Sequence, residues 1–188
     1  MRLTFPTFLT FTRIGLIPFL VYAIVYQLWP LATILFLTAA ITDMLDGYLA
    51  RLWDEETEFG ACLDPVADKL LIISCYATLV FFPVSELPLP LWFLLVVLLK
   101  ELSLLAGAFY FAIVKGVVRI RPTYLGKLTM VVQSALVIWL LLCSIFDWMP
   151  IKTFRAFLDV AIFFVMASLA QYGYSALTAT RRQRGYYE

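Results

Sequence analysis

Four aspartates occur in two pairs whose spacing places each pair on one face of a helix. Asp43 and Asp46 are three residues apart, and Asp64 and Asp68 are four residues apart. These separations bring side chains onto the same helical face. Small side chains on such a face allow a ligand to approach the backbone closely. The small residues that accompany the two pairs are Gly47, Ala50 and Gly60.

Carboxylates that face one another need a compensating charge. In a low dielectric they repel, so they must be partly protonated or hold cations. The chain has no histidine, and its three cysteines do not have a zinc-site spacing. Oxygen ligands alone indicate a hard cation such as Mg²⁺, Mn²⁺ or Ca²⁺, and a pair of such ions favours displacement at a phosphoryl group. A purely structural role, with the aspartates paired to Arg51 or Lys69, is the alternative interpretation.

The composition indicates that the elements carrying these aspartates cross a membrane. Hydrophobic residues make up 63% of the chain and charged residues 14%, against roughly 45–50% and about 25% in soluble domains. The net charge of +1 provides no field for binding nucleic acid. We therefore predict an all-α integral membrane protein that does not bind nucleic acid.

Six apolar stretches are long enough to cross a bilayer, which takes about 20 residues. The breaks between them are short, so consecutive helices are expected to pack antiparallel. We predict one six-helix transmembrane catalytic domain over residues 1–180 and a short basic tail over 181–188. The predicted spans are Phe8–Leu28, Leu31–Leu52, Ala61–Phe82, Leu89–Val114, Tyr124–Ile145 and Phe154–Leu177.

The basic residues predict how the chain is oriented. Threading six spans places only Lys152 and Arg155 on one side, with most other basic residues on or near the other side. Because basic loops stay in the cytoplasm, both termini and the aspartates are expected to face the cytoplasm. A five-span chain would split the basic loops between the two sides. We expect a multi-pass protein of the cell membrane, in a bacterium the inner membrane.

The aspartate pattern resembles the signature of the CDP-alcohol phosphotransferase family. It reads Asp43-x2-Asp46-Gly47-x2-Ala50-Arg51-x8-Gly60-x3-Asp64-x3-Asp68 and matches every fixed position of that signature. The six-span plan and the segment Pro6-Thr7-x2-Thr10-x2-Arg13 are also similar to the family. Members displace CMP from a CDP-linked donor with the hydroxyl of an alcohol. In the phospholipid-making branch the donor is CDP-diacylglycerol.

The resemblance implies a role for each residue of the signature. Asp43, Asp46, Asp64 and Asp68 would hold two divalent ions, Mg²⁺ or Mn²⁺, and Asp68 would also be the general base on the acceptor hydroxyl. A homodimer in contact with membrane lipids is also implied. The residues that would line the pocket of the CDP donor are Gly47, Ala50, Arg51 and Gly60, with Thr10 as a further candidate.

The resemblance is compatible with more than one acceptor alcohol. Glycerol-3-phosphate is the first expectation, and its phosphate would need cationic side chains. Residues 119–133 also resemble the branch that uses phosphatidylglycerol, which is the alternative acceptor, and inositol phosphate or serine ranks lower. The fourth span has Lys100-Glu101 where the first branch has Arg-Glu. The candidate phosphate-binding residues are Arg13, Lys100, Arg121 and Lys127.

Two further expectations concern single features. Lys100 and Glu101 are adjacent, so their side chains leave a helix about 100° apart and are not expected to pair. An ion or proton transporter would also bury carboxylates, and it often shows inverted repeats and broken helices near the bilayer midplane. The chain shows no internal repeat, and its acids lie near one side, so an enzyme is the preferred prediction.

Overall fold

The computed structural model describes the backbone of residues 5–53, 58–82, 88–115, 124–148 and 150–184. Side chains are described for residues 10–43, 66–82, 88–107, 124–148 and 150–173. Within the described backbone the regular structure is helical and no strand occurs, which confirms the all-α prediction. The helices are α1 (Phe5–Val25), α2 (Trp29–Trp53), α3 (Glu58–Phe81), α4 (Leu91–Lys115), α5 (Tyr124–Ile145) and α6 (Ile151–Arg184).

A tight turn after α1 leads directly into α2. Gln27 has a positive φ of 58°, and the backbone N–H of Leu28 donates to the carbonyl of Ala23 at 2.8 Å. This hydrogen bond and the left-handed residue form the common cap at a helix C-terminus. Asp147, after α5, has the same left-handed conformation, with a φ of 50°. Both helices therefore end in a turn of only a few residues.

The chain divides into two compact units. The first comprises Met1–Pro90 and Val137–Ile151, and the second comprises Leu91–Leu136 and Lys152–Glu188. In the first unit, α1 packs against both α2 and α3. The paired aspartates of the sequence belong to this unit.

The buried face of α2 leads from an apolar core to a carboxylate. Ala32, Phe36 and Ala39 are buried and lie three or four residues apart, which keeps them on one side of the helix. Asp43 is four residues beyond Ala39 and continues the same face. The helix therefore carries its polar group at the end of an apolar stripe that fixes its position.

The second unit buries polar side chains among its apolar ones. Thr129 Oγ1 of α5 donates to the carbonyl of Leu125 in its own helix at 2.7 Å, and lies 3.1 Å from the carbonyl of Phe164 in α6. This contact joins α5 and α6. The remaining buried polar side chains of this unit, among the described residues, are Lys100, Glu101, Gln133 and Ser168.

The outer surface of the described helices is largely apolar. Phe19, Phe81, Leu99 and Phe163 each leave more than half of their surface exposed. Large apolar patches of this kind mark contact with a partner or with lipid. Polar side chains often bond within their own helix instead, as when Thr78 Oγ1 donates to the carbonyl of Ser74 at 2.6 Å. Satisfying polar groups internally is what a lipid environment demands.

Two of the described helices are long and apolar enough to cross a membrane, namely Tyr124–Ile145 and Ile151–Gly173. Shorter apolar helical stretches occupy Thr10–Val25 and Trp29–Asp43. The first of the two long helices has the same bounds as the predicted fifth span. The full set of six spans stays a prediction.

Candidate functional site

A buried arginine of α1 joins two of the predicted metal ligands. Arg13 Nη1 lies 2.8 Å from Asp43 Oδ1 and 2.9 Å from Asp68 Oδ1, and it donates a hydrogen bond to the latter. Asp43 is on α2 and Asp68 is on α3, so one guanidinium connects three helices. The structure thereby brings together two aspartates that are 25 residues apart in the sequence.

Burial differs sharply across this cluster. The Arg13 side chain is fully buried, whereas the side chains of Asp43 and Asp68 are 37% and 21% exposed. A buried guanidinium keeps its charge, so it needs carboxylates beside it. The two carboxylates thus have an inner side that faces Arg13 and an outer side that a ligand can reach.

For the other residues of the signature, the structure describes only the backbone. Asp46, Gly47, Ala50 and Arg51 follow Asp43 in α2, and Gly60 and Asp64 precede Asp68 in α3. Their side chains lie outside the described residues. Because α2 and α3 are continuous helices through these positions, each pair of aspartates shares one helical face, as the spacing predicts.

The described donors suit a hard divalent cation. Asp43 and Asp68 offer carboxylate oxygens that already face a shared positive charge. Oxygen donors are the ones that Mg²⁺ and Mn²⁺ prefer. Among the described side chains, no three acidic, cysteine or histidine residues cluster, and Asp46 and Asp64 are outside that set. The residues that are described therefore fit the predicted ion, and the full ligand set stays a prediction.

Thr10, the further candidate for the donor pocket, lies one turn before Arg13 on α1. Its side chain is fully buried, and its spacing of three residues from Arg13 puts both on one face. The core of the first unit also contains Cys75, which is buried as a thiol. Cys143 is buried in the same way, whereas the side chain of the third cysteine, Cys62, lies outside the described residues.

The four candidate phosphate-binding residues have different environments. Lys127 is exposed in the first turn of α5. Arg121 lies outside the described residues. Arg13 and Lys100 are buried and carry carboxylate partners. Among the described candidates, only Lys127 offers its charge at the surface.

Lys100 and Glu101 do pair with each other, so the expectation that they would not was wrong. Lys100 Nζ lies 2.5 Å from Glu101 Oε1 and donates to Gln133 Oε1 of α5 at 3.2 Å. Both charged side chains are almost completely buried. Burial favours the ion pair because two opposite charges that are shielded from water attract each other strongly. Adjacent positions on a helix point in different directions, but these two side chains are long enough for their charged ends to meet.

This pair predicts a specific pattern of stability. Replacing Lys100 with Met should lower the free energy of unfolding by roughly 3–5 kcal/mol, because Glu101 would stay buried without its counter-charge. Replacing both residues, as Lys100→Met with Glu101→Leu, should recover most of that loss. Thermal unfolding in detergent measures both variants. An equal loss in the single and the double variant would show that the loss does not come from an uncompensated charge on Glu101.

Residues 3–173 match the CDP-alcohol phosphatidyltransferase family. The match covers all six helices except the end of α6. It also contains both aspartate pairs and Arg13. The signature residues that the sequence singled out therefore lie within the matched region, which spans nearly the whole chain.

Several characterised proteins are similar to this chain. The CDP-diacylglycerol--glycerol-3-phosphate 3-phosphatidyltransferases of Salmonella choleraesuis and Escherichia coli are 34% and 33% identical over 177 residues, which is 90% of each chain. Human cardiolipin synthase (CMP-forming) is 32% identical over 161 residues, which is 77% of this chain. The chain spans about half the length of the mammalian relatives, 52% in the human case.

Proposed function

Because the chain belongs to the CDP-alcohol phosphatidyltransferase family, we propose that it transfers a phosphatidyl group from CDP-diacylglycerol to glycerol-3-phosphate and releases CMP. The observation that carries this proposal is the convergence of Asp43 and Asp68 from two helices on one buried cation. The similarity to bacterial enzymes of that name over 90% of the chain supports the choice of acceptor.

The four aspartates form the proposed metal site. Asp43 and Asp46 on α2 and Asp64 and Asp68 on α3 would hold two ions, with Mg²⁺ or Mn²⁺ as the proposed metals. When bound, such ions neutralise the charge that develops on a diphosphate donor as its bond to the leaving group breaks. The open side of Asp43 and Asp68 is what admits the donor to this site.

Asp68 is the proposed general base. The acceptor hydroxyl oxygen forms a bond to the phosphorus of the phosphatidyl group, and the bond from this phosphorus to the bridging oxygen breaks. CMP leaves with that bonding pair, and the hydroxyl proton passes to Asp68. A carboxylate is a weak base for an alcohol, so Asp68 acts only within hydrogen-bond reach of the hydroxyl. In the structure its Oδ1 atom lies 2.9 Å from Arg13 Nη1.

The nucleotide end of the donor is proposed to lie along α2 and α3. Small residues at this place allow the cytidine and its phosphates to approach the helix backbones. Arg51 supplies a cation for the phosphate that leaves. The proposed donor-binding residues are Thr10, Gly47, Ala50, Arg51 and Gly60.

The acceptor phosphate is proposed to bind Lys127 and Arg121. Lys127 is exposed in the first turn of α5, and Arg121 precedes that helix by three residues. Arg13 and Lys100 were also candidates, but each already faces a carboxylate. Their charges are therefore compensated inside the protein, which makes them poorer phosphate ligands.

A second acceptor is supported by one specific observation. Human cardiolipin synthase (CMP-forming) is 32% identical over 77% of this chain. Phosphatidylglycerol is therefore the alternative acceptor, and the product would be cardiolipin. Its phosphodiester carries one charge and two acyl chains, so its pocket would need fewer cations and an opening towards lipid.

We further propose that six spans place both termini and the aspartates on the cytoplasmic side of the cell membrane, in a homodimer. The apolar surface and two membrane-length helices support a membrane location. The basic residues support the orientation. The cytoplasmic side is also where CMP, a soluble product, would be released.

Engineered cysteines test this orientation. In a variant whose native cysteines are replaced, Thr57→Cys should resist a membrane-impermeant thiol reagent added to intact cells, while Ser85→Cys should react. The reason is that the basic-residue bias places residue 57 inside and residue 85 outside. Permeabilised cells, in which both sites should react, are the control. Reaction at residue 57 with protection at residue 85 would reverse the proposed topology.

Release of CMP by purified protein tests the function itself. CDP-diacylglycerol and glycerol-3-phosphate should yield CMP only when Mg²⁺ or Mn²⁺ is present, because the donor diphosphate needs charge compensation. A transporter would release no CMP under any of these conditions. No CMP with any divalent ion and either acceptor would overturn the proposed enzyme.

A further inference from the structure

Arg13 provides a positive charge beside Asp43 and Asp68, which together form the aspartate cluster. Its Nη1 atom lies within 2.9 Å of one carboxylate oxygen on each of Asp43 and Asp68. We propose that Arg13 is the resident counter-ion of this cluster, which holds the two aspartates together before metal binds and competes with the metal for them. This inference rests on the proposed metal site.

The carboxylates need such a counter-ion whenever metal is absent. Asp43 and Asp68 are brought close by the packing of α1 against α2 and α3. Two like charges at partly buried positions repel, and this repulsion opposes the packing. A guanidinium between them converts the repulsion into attraction, and its planar group of donors suits two carboxylates at once.

The same arrangement makes metal and arginine competitors. A divalent ion held by Asp43 and Asp68 would share their charge with Arg13 and would itself be repelled by the guanidinium. Arginine side chains keep their positive charge in proteins, so this repulsion between the metal and the guanidinium persists. Metal binding must therefore weaken the contacts of Arg13 with the two carboxylates.

This role differs from direct binding of the acceptor phosphate. A phosphate ligand needs access to the guanidinium, but the Arg13 side chain is fully buried. Its charge is also already opposed by two carboxylates. Arg13 is therefore a positioning residue that acts through the aspartates, and metal affinity reports its role more directly than the Michaelis constant for the acceptor does.

The test measures Mn²⁺ binding and thermal stability of purified full-length protein in detergent. Arg13→Gln should unfold at a lower temperature than the wild type in a chelator, because the carboxylates lose their counter-ion. Arg13→Gln should also bind Mn²⁺ roughly tenfold or more tightly than the wild type does. This factor corresponds to the loss of one or two charge-assisted contacts through which Arg13 competes with the metal. Its stability deficit should shrink at saturating Mn²⁺, since bound ligand stabilises the folded state by mass action.

Two matched variants keep the test sound if Arg13→Gln folds poorly. Arg13→Lys retains the charge with fewer donors, so its Mn²⁺ affinity should lie between those of the wild type and Arg13→Gln. Arg13→Gln combined with Asp43→Asn removes one cation and one anion together. This double variant should be more stable in chelator than Arg13→Gln alone.

The possible results separate this inference from the metal site on which it rests. If the wild type binds Mn²⁺ but Arg13→Gln binds it equally or less tightly, its stability deficit should stay the same or grow as Mn²⁺ is added. That result would refute the competition and leave the metal site standing. If the wild type binds no Mn²⁺ and turns over without divalent ions, the proposed metal site fails and the inference fails with it.

Discussion

Replacing Asp43 with Asn should lower turnover by more than about a hundredfold, since losing even a residue that only supports a metal ligand typically costs roughly 10–100-fold. The substitution keeps the size of the side chain and removes its negative charge. One anionic ligand of the proposed metal site is lost, while α2 keeps its apolar stripe. Steady-state release of CMP at saturating Mg²⁺ or Mn²⁺ measures the effect.

The variant should nevertheless fold. Arg13 keeps Asp68 as a partner at 2.9 Å, so its buried positive charge stays compensated after the substitution. The matched control is Asp147→Asn, because Asp147 is exposed in the turn after α5 and its positive φ suits asparagine. Near-normal turnover of Asp43→Asn in a protein that melts like the wild type would refute the role of Asp43 as a metal ligand.

The second large effect is expected at Lys127. If glycerol-3-phosphate is the acceptor, Lys127→Ala should raise its Michaelis constant about tenfold to a hundredfold, since a charge-assisted contact contributes roughly 1.5–3 kcal/mol. Arg121→Ala should act in the same direction. The slow reaction of CDP-diacylglycerol with water should change much less, because it uses no acceptor phosphate.

Lys152→Ala is the control for this experiment. Lys152, like Lys127, is an exposed lysine in the first turn of a helix, but the proposed topology puts it on the opposite side of the membrane. Its removal should leave the Michaelis constant unchanged. Equal effects of the two substitutions would point to general electrostatics instead of a phosphate-binding contact at Lys127.

The helices themselves could be predicted closely from the sequence. The predicted span Tyr124–Ile145 and α5 have identical bounds, because charged or proline-containing segments adjoin the apolar run at both ends. The last predicted span ended at Leu177, whereas α6 continues to Arg184. Hydropathy locates only the apolar part of a helix that lipid would cover. The helix itself can continue into polar sequence, because its backbone hydrogen bonds do not depend on apolar side chains.

The partners of the buried charges could be predicted only in part. Helical spacing predicts which aspartates share a face, because the separation of residues along one helix is fixed. The contacts of Arg13 with Asp43 and Asp68 depend on how three helices pack, and no local pattern encodes that. Lys100 and Glu101 were misjudged for a related reason, since a helical projection gives the direction of the Cβ atoms but not the reach of long side chains in a dry interior.

The identity of the lipid product tests the central claim most directly. Purified protein given CDP-diacylglycerol, a divalent ion and both glycerol-3-phosphate and phosphatidylglycerol should release CMP and form phosphatidylglycerophosphate. Omission of the divalent ion should stop the reaction. Preferential formation of cardiolipin would instead establish phosphatidylglycerol as the acceptor and contradict our first choice. Brisk use of inositol phosphate or serine, with neither of these products formed, would contradict both acceptors and leave only the family assignment.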